Sequence, residues 1–254
     1  MARCPTPHPS RRRPVPRSPC PFSPCVQLRV VAEAMPLMAG NANGEVAPAR
    51  EAHDADCLDL RDVNLVCHDW GGIIGLRLVA EQPQRFASVV AANIGMPTGQ
   101  TPVSEDLRKW PEIARQMPEF PIGRMVSMGC TGGLTDAEIA AYDAPFPDET
   151  YKAAARSFPA LIPITPDNAA VPDQLRAWET LDRFDRPLRC AFSDMDPFDK
   201  GGNRALEKRV PGAQGQTHTA ITGGGHFLQE DRGAELAQVV VAFLGRVHGG
   251  AQRG

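Results

Sequence analysis

Apolar and polar positions along the chain change rhythm near Leu58. From there on, short apolar runs alternate with longer segments of helical spacing. VNLVCH, starting at Val63, is a β-branched run; DWGG turns; IIGLRLVAEQ carries apolar residues at the 3.6-residue period until Pro83 stops it. A second apolar run, Ala87–Ile94, follows, so residues 63–94 read as a βαβ unit whose parallel strands require a crossover and a buried sheet. Residues 97–180 then lose the alternation. They hold prolines and helical pieces (EDLRKWPEIARQM, LTDAEIAAYDA, ETYKAAARSF) without a clear strand, the pattern of an inserted helical cap. Strands resume at Arg186–Ser193 and Thr217–Thr222, separated by the helical NRALEKRV and followed by the amphipathic AELAQVVVAFLGRV. The expected organisation is an α/β core over 58–96 and 181–248, a helical cap over 97–180, and an atypical segment over 1–57.

Residues 1–25 hold eight prolines among arginines and serines, with no apolar period to repay the entropy of ordering, and are expected to be disordered. Residues 26–37 suit a short strand or helix, and 38–56 read as loop. The chain's 254 residues are enough for one sizeable core. A net charge of −3 gives no global reason to expect nucleic acid or an anionic membrane as partner. The chain has no apolar run of membrane-spanning length and no secretory h-region. Its seven cysteines, Cys4, Cys20, Cys25, Cys57, Cys67, Cys130 and Cys190, are scattered without C-x-x-C or metal-ligand spacing. They read as reduced thiols of a cytoplasmic protein, with neither metal nor cofactor expected.

The chemistry concentrates after the core strands. Cys67-His68-Asp69-Trp70-Gly71-Gly72 places an acid among small residues at a sharp strand-to-helix turn, the pattern of a nucleophile elbow. Asp69 could equally serve as a helix N-cap. Chain order shifts that balance, because Asp196 in SDMDPFD and His226 in GGGHFLQED follow the next core strands. Nucleophile, acid, histidine is the order of α/β-hydrolases, which build their sites at the carboxyl ends of parallel strands. A carboxylate is ionised at neutral pH and needs no base to attack, which suits displacement at saturated carbon and an alkyl-ester intermediate. Water activated by a histidine must then cleave that ester.

The stretches VNLVCHDWGGIIGLRLVAEQPQRF, AAYDAPFPDETYKAAARSFPALIP, CAFSDMDPFDKGGN and GGGHFLQED resemble haloalkane dehalogenases over about residues 58–245. The similarity is closest to the subfamily with an acid after the penultimate core strand. The resemblance implies an α/β-hydrolase fold with a mostly parallel sheet and an inserted helical cap. It implies Asp69 as nucleophile, Asp196 as triad acid, His226 as base and the Trp70 indole as halide donor, with a small halogenated molecule as substrate. Asp194 and Asp199 are local rivals to Asp196. Two departures stand out: no HG-x-P loop precedes Asp69, so the N-terminal strands are missing or replaced, and Ser127–Thr131 carries no tryptophan. Trp110 and Trp178 read as cap packing. The abrupt change at Leu58 suggests a wrong start site, a frameshift or a real replacement, and an inactive truncated hydrolase-like chain is one alternative. An epoxide hydrolase is another, since Tyr142 and Tyr151 both fall in the cap, where an epoxide would need a proton donor.

Overall fold

A computed structural model describes residues 60–198 and 201–250, together with the backbone of Leu28–Val30. The expectation of disorder over residues 1–25, the loop over 38–56, four of the cysteines and Asp199 lie outside those residues.

Among the described residues, five strands form one parallel sheet in chain order: β1 (Leu28–Val30), β2 (Val63–His68), β3 (Phe86–Ala92), β4 (Leu188–Ser193) and β5 (Thr219–Ile221). β1 comes from the segment read as short strand or helix. The middle strands are buried along nearly their whole length, as strands covered on both faces must be. Their near-continuous apolar sequences follow from that burial. On one face Leu65, Cys67, Val89, Leu188 and Cys190 pack under helix α1 (Asp69–Glu81), which contributes Leu76 and Val79. On the other, Val90, Ala92, Ala191 and Ile221 pack against Leu228, Val240 and Phe243 of the last helix, Leu228–Gly250.

Between β3 and β4 the chain builds α2 (Glu105–Gln116), α3 (Ile122–Gly129), α4 (Asp136–Asp143), α5 (Ala153–Leu161) and α6 (Val171–Leu181). The first four make the cap around Ala114, Phe120 and Ile122. Ser104 caps α2 by accepting from the Leu107 N–H at 3.1 Å, and Thr135 with Glu138 closes a capping box on α4. Arg156 of α5 donates to the carbonyls of Met117 and Pro118 beyond the end of α2 and to the Glu149 carboxylate, tying the cap helices together. α6 packs differently. Its Ala177, Trp178 and Leu181 belong to the core beside α1, the Trp178 indole N–H donates to the Met96 carbonyl at 2.9 Å, and Arg77 pairs with Asp173 at 3.1 Å. By packing, α6 is a core helix, although all but its last residue lies within the 97–180 segment. α7 (Gly202–Arg209) follows β4, and the last helix, α8, kinks at Arg232 (φ −139°). Among the described residues, no helix is long and apolar enough to cross a membrane.

Candidate active site

β2 ends at His68, and the chain turns into α1 through Asp69 at φ +47°, a left-handed conformation that costs a non-glycine residue roughly 1–3 kcal/mol. Neighbouring structure holds that strain in place. The Asp69 N–H donates to the Asn93 carbonyl at 3.3 Å, and α1 sits so close to the end of β3 that a Cβ on Gly72 would lie 2.2 Å from Ile94 Cδ1. The N-cap of α1 is His68, without a side-chain capping bond. The Asp69 carboxylate instead faces His226, with Oδ1 3.4 Å from Nε2. The elbow arrangement, rather than the capping one, is what the geometry realises.

The loop after β4 brings in Asp196, 3% exposed, whose two oxygens lie 3.2 and 3.1 Å from His226 Nδ1. Asp196 also accepts the Phe198 N–H at 2.9 Å, which fixes the carboxylate in the plane it needs. Asp194 is exposed and accepts the Gly223 N–H at 2.7 Å, a turn contact away from the imidazole. Asp69, Asp196 and His226 therefore meet in one site from three strand ends.

Two residues that sequence reasoning passed over hold the histidine loop. Asn93, 1% exposed and at φ +37°, donates to the carbonyls of Gly225 and His226 at 2.9 Å each and accepts the Ser193 N–H at 2.8 Å. His68 lies 2.7 Å through Nε2 from the His226 carbonyl. Asn93 stands immediately after the apolar β3, and a polar residue ending a buried strand was the one signal for it.

Electrostatics separates the roles. Burial pushes the Asp69 carboxyl up, but the hydrogen bond and charge of His226, with His68 and the Trp70 N–H, more than reverse this and hold it down at about 2. Burial pulls the His226 imidazole down, but hydrogen bonds to Asp196 and Asp69 and the charges of both outweigh it and raise it to about 10. Both shifts favour the charged forms of the facing pair, Asp69 and His226. Cys67, buried beneath the elbow, is pushed up to about 12 and is an inert thiol.

Above Asp69 and His226 opens a cavity of about 410 Å³ between core and cap. Its walls are aromatic, aliphatic and thioether side chains, with His68, Asp69, Tyr151 and His226 as the polar exceptions. Trp70 lines it, packed edge-on against Phe158 at 4.7 Å. Trp110, read from sequence as cap packing, also lines it and stands 6.4 Å from Phe198, which in turn lies 5.0 Å from the His226 ring. Trp178 is spent on the core. Of the two tyrosines, Tyr142 donates its hydroxyl to Glu230 at 2.6 Å on the seam between cap and core, and Tyr151 lies 61% exposed at the cavity wall.

Among the described residues, one group of side chains lies close enough to share a metal: Cys190, Glu207 and His218. His218 is already engaged at both nitrogens, by the Cys190 N–H and the Ala213 carbonyl, each at 3.0 Å. A cation there would have to displace backbone partners.

Comparison with known proteins bears on the family and the fold. The sequence pattern of the alpha/beta hydrolase family matches residues 17–239. The chain is 48% identical over 189 residues to a haloalkane dehalogenase of Psychrobacter cryohalolentis, a match covering 74% of this chain and 62% of that protein. It is 44% identical over 186 residues to one of Mycolicibacterium paratuberculosis, covering 73% and 62%. The chain thus spans about three fifths of the length of these relatives. Among solved structures, the tetrameric haloalkane dehalogenase of Paraglaciecola agarilytica superimposes with a TM-score of 0.69 at 28% identity, covering 77% of this chain and 64% of that one. A haloalkane dehalogenase of Bradyrhizobium elkani superimposes at 0.68 with 19% identity, over 82% and 77%, a likeness of fold.

Proposed function

Because this chain belongs to the alpha/beta hydrolase family, we propose that it performs the hydrolytic dehalogenation of small haloalkanes through an alkyl ester on Asp69. The observation that carries the reading is an ionised carboxylate at a strained elbow, facing an apolar cavity, with a histidine–aspartate pair behind it. The kinship with dehalogenases at 44–48% identity supports the same chemistry.

In the first step an Asp69 oxygen attacks the halogen-bearing carbon, the carbon–halogen bond breaks with its electrons, and halide leaves toward N–H donors. The Trp70 indole is the first donor, and Trp110, on the same cavity, is the candidate for the second. No proton is needed. Ester formation also removes the Asp69 charge that helps hold His226 protonated, which lowers the imidazole and enlarges the fraction that gives up its proton to solvent. The neutral imidazole then takes a proton from water as the hydroxide attacks the ester carbonyl, with Asp196 holding the ring in the required tautomer. Alcohol leaves, Asp69 is regenerated, and the sum is haloalkane plus water giving alcohol, halide and a proton.

The cavity walls favour an uncharged apolar substrate. The buried thiol of Cys67 fits a reducing, cytoplasmic setting. The Trp70 backbone N–H bonds the Asp69 carboxylate and so faces the oxygen that would become the ester oxyanion, whereas no HG-x-P loop that would add a second donor precedes Asp69 in the sequence. Losing such a donor costs on the order of 10²–10³ in rate, so the test is a single-turnover one. With 1-bromobutane, His226→Ala is expected to release about one bromide per site and stall, with the butyl group on the peptide containing Asp69. Asp69→Ala should release none. Bromide release by Asp69→Ala, or an adduct on another residue, would remove Asp69 from the nucleophile's role.

A further inference from the structure

The seam between cap and core is built around one carboxylate. Asp231 sits in the first turn of α8, where an acid is common at a helix N-terminus. Its oxygens, however, are turned away to three backbone donors on two other segments. They accept the Thr131 N–H at 2.9 and 3.0 Å, the Gly132 N–H at 3.2 Å and the Gly225 N–H at 2.8 Å. Thr131 and Gly132 directly follow α3 of the cap, and Gly225 is the residue before His226.

Independent contacts run along the same seam. The Thr131 hydroxyl donates to the Gly223 carbonyl at 2.8 Å, and the Phe227 N–H approaches the Gly129 carbonyl at 3.4 Å. The two backbones are so close that a Cβ on Gly225 would stand 2.4 Å from the Gly129 oxygen. Gly129 and His226 both line the substrate cavity. Asn93 and His68 hold the His226 loop from the core side, whereas Asp231 holds it from the cap side.

We propose that Asp231 is a positioning residue for His226, its carboxylate clasping the histidine loop against the end of α3 so that the imidazole orientation is set from the cap side. The reading of Asp69 and His226 given above underlies this. Asp69 is placed by the elbow, which the clasp does not touch. Ester formation therefore proceeds without Asp231, and ester hydrolysis, which needs a correctly aimed imidazole, depends on it.

The test compares the parent chain with Asp231→Asn, which keeps the shape but turns an N–H donor toward N–H donors, and with Asp231→Glu as the conservative variant. Rapid-quench measurement with 1-bromobutane should find the bromide burst of Asp231→Asn within about twofold of the parent and hydrolysis of the butyl enzyme slower by on the order of 10-fold. Asp231→Glu should recover part of the loss. A second readout needs no substrate. The downfield proton NMR signal of the His226 Nδ1–H···Asp196 bond should shift or broaden in Asp231→Asn while the melting temperature stays above the measuring temperature. Burst and hydrolysis falling by one common factor, or an unchanged imidazole signal, would overturn the proposal. A parent that releases no bromide overturns the dehalogenase reading instead, and the imidazole signal then decides the clasp by itself.

Discussion

Replacing Asp69 by Asn removes one of the two charges that keep His226 protonated, without removing its bulk. At the observed 3.4 Å the attraction between imidazolium and carboxylate is worth about 5 kcal/mol at an effective dielectric of 20 and about 1 kcal/mol in bulk water. The Asp69 side chain is 42% exposed, so solvent screens the pair toward the lower part of that range. At 1.36 kcal/mol per pH unit, the imidazole should fall by roughly one to two units from its raised position near 10. Imidazole NMR resonances followed across pH in parent and Asp69→Asn would measure this directly. An unchanged or higher titration point for His226 in Asp69→Asn would refute the reasoning. The stability consequence has a definite sign. His226 titrates higher in the folded chain than its ordinary 6.5, so its contribution is complete below about 6.5 and is lost as pH rises through about 10. In Asp69→Asn the contribution should be smaller and its loss complete at a lower pH, while the onset near 6.5 stays in place. Alkylation of Asp69 neutralises the same charge, so the neutral fraction of the His226 imidazole would grow once an ester is in place.

Two other perturbations probe the scaffold and the cavity. Gly72→Ala drives a Cβ into Ile94, whose own Cβ would stand 2.8 Å away and cannot rotate clear, so a loss of about 1–3 kcal/mol is expected in urea unfolding; an unmoved midpoint would show that the elbow is looser than its contacts. Trp70→Phe should weaken bromide binding, followed by tryptophan fluorescence, roughly 10- to 100-fold by removing a donor to an anion, with Trp110→Phe acting in the same direction, and parent-like binding by Trp70→Phe would remove it from the halide site.

Much of the site was legible because its elements announce themselves locally. Apolar runs ending in DWGG, SDMDP and GGGH mark strand ends, and the order Asp69, Asp196, His226 follows from chain direction alone. What stayed hidden depends on distant partners. α3 was missed because Pro121 and the glycines Gly123 and Gly129 mask a short apolar stripe, Ile122 and Val126, that only the packed cap makes sense of. α6 went unread among the prolines, because what defines it is its packing: Ala177, Trp178 and Leu181 in the core and the Trp178 bond to Met96. The run Ala87–Ile94 suggests a strand reaching Ile94, but β3 ends at Ala92 because Asn93 turns to φ +37° to reach two carbonyls of the histidine loop. Trp110 looks in sequence like any amphipathic-helix aromatic; its place on the cavity wall depends on how α2 docks.

The sheet keeps its strands in chain order, and the entire cap is carried on the single connection between β3 and β4, which pair directly at Val89 and Leu188. Closing a flexible connection of that kind grows dearer only slowly, by about 0.6 kcal/mol for each doubling of its length. The cavity can therefore be reshaped by lengthening, trimming or exchanging the cap while the loops bearing Asp69, Asp196 and His226 stay where the strands put them. The seam at Gly129–Gly132 sets the condition for such exchange: a transplanted cap needs two backbone N–H groups there to meet Asp231, and a small residue where the histidine loop passes.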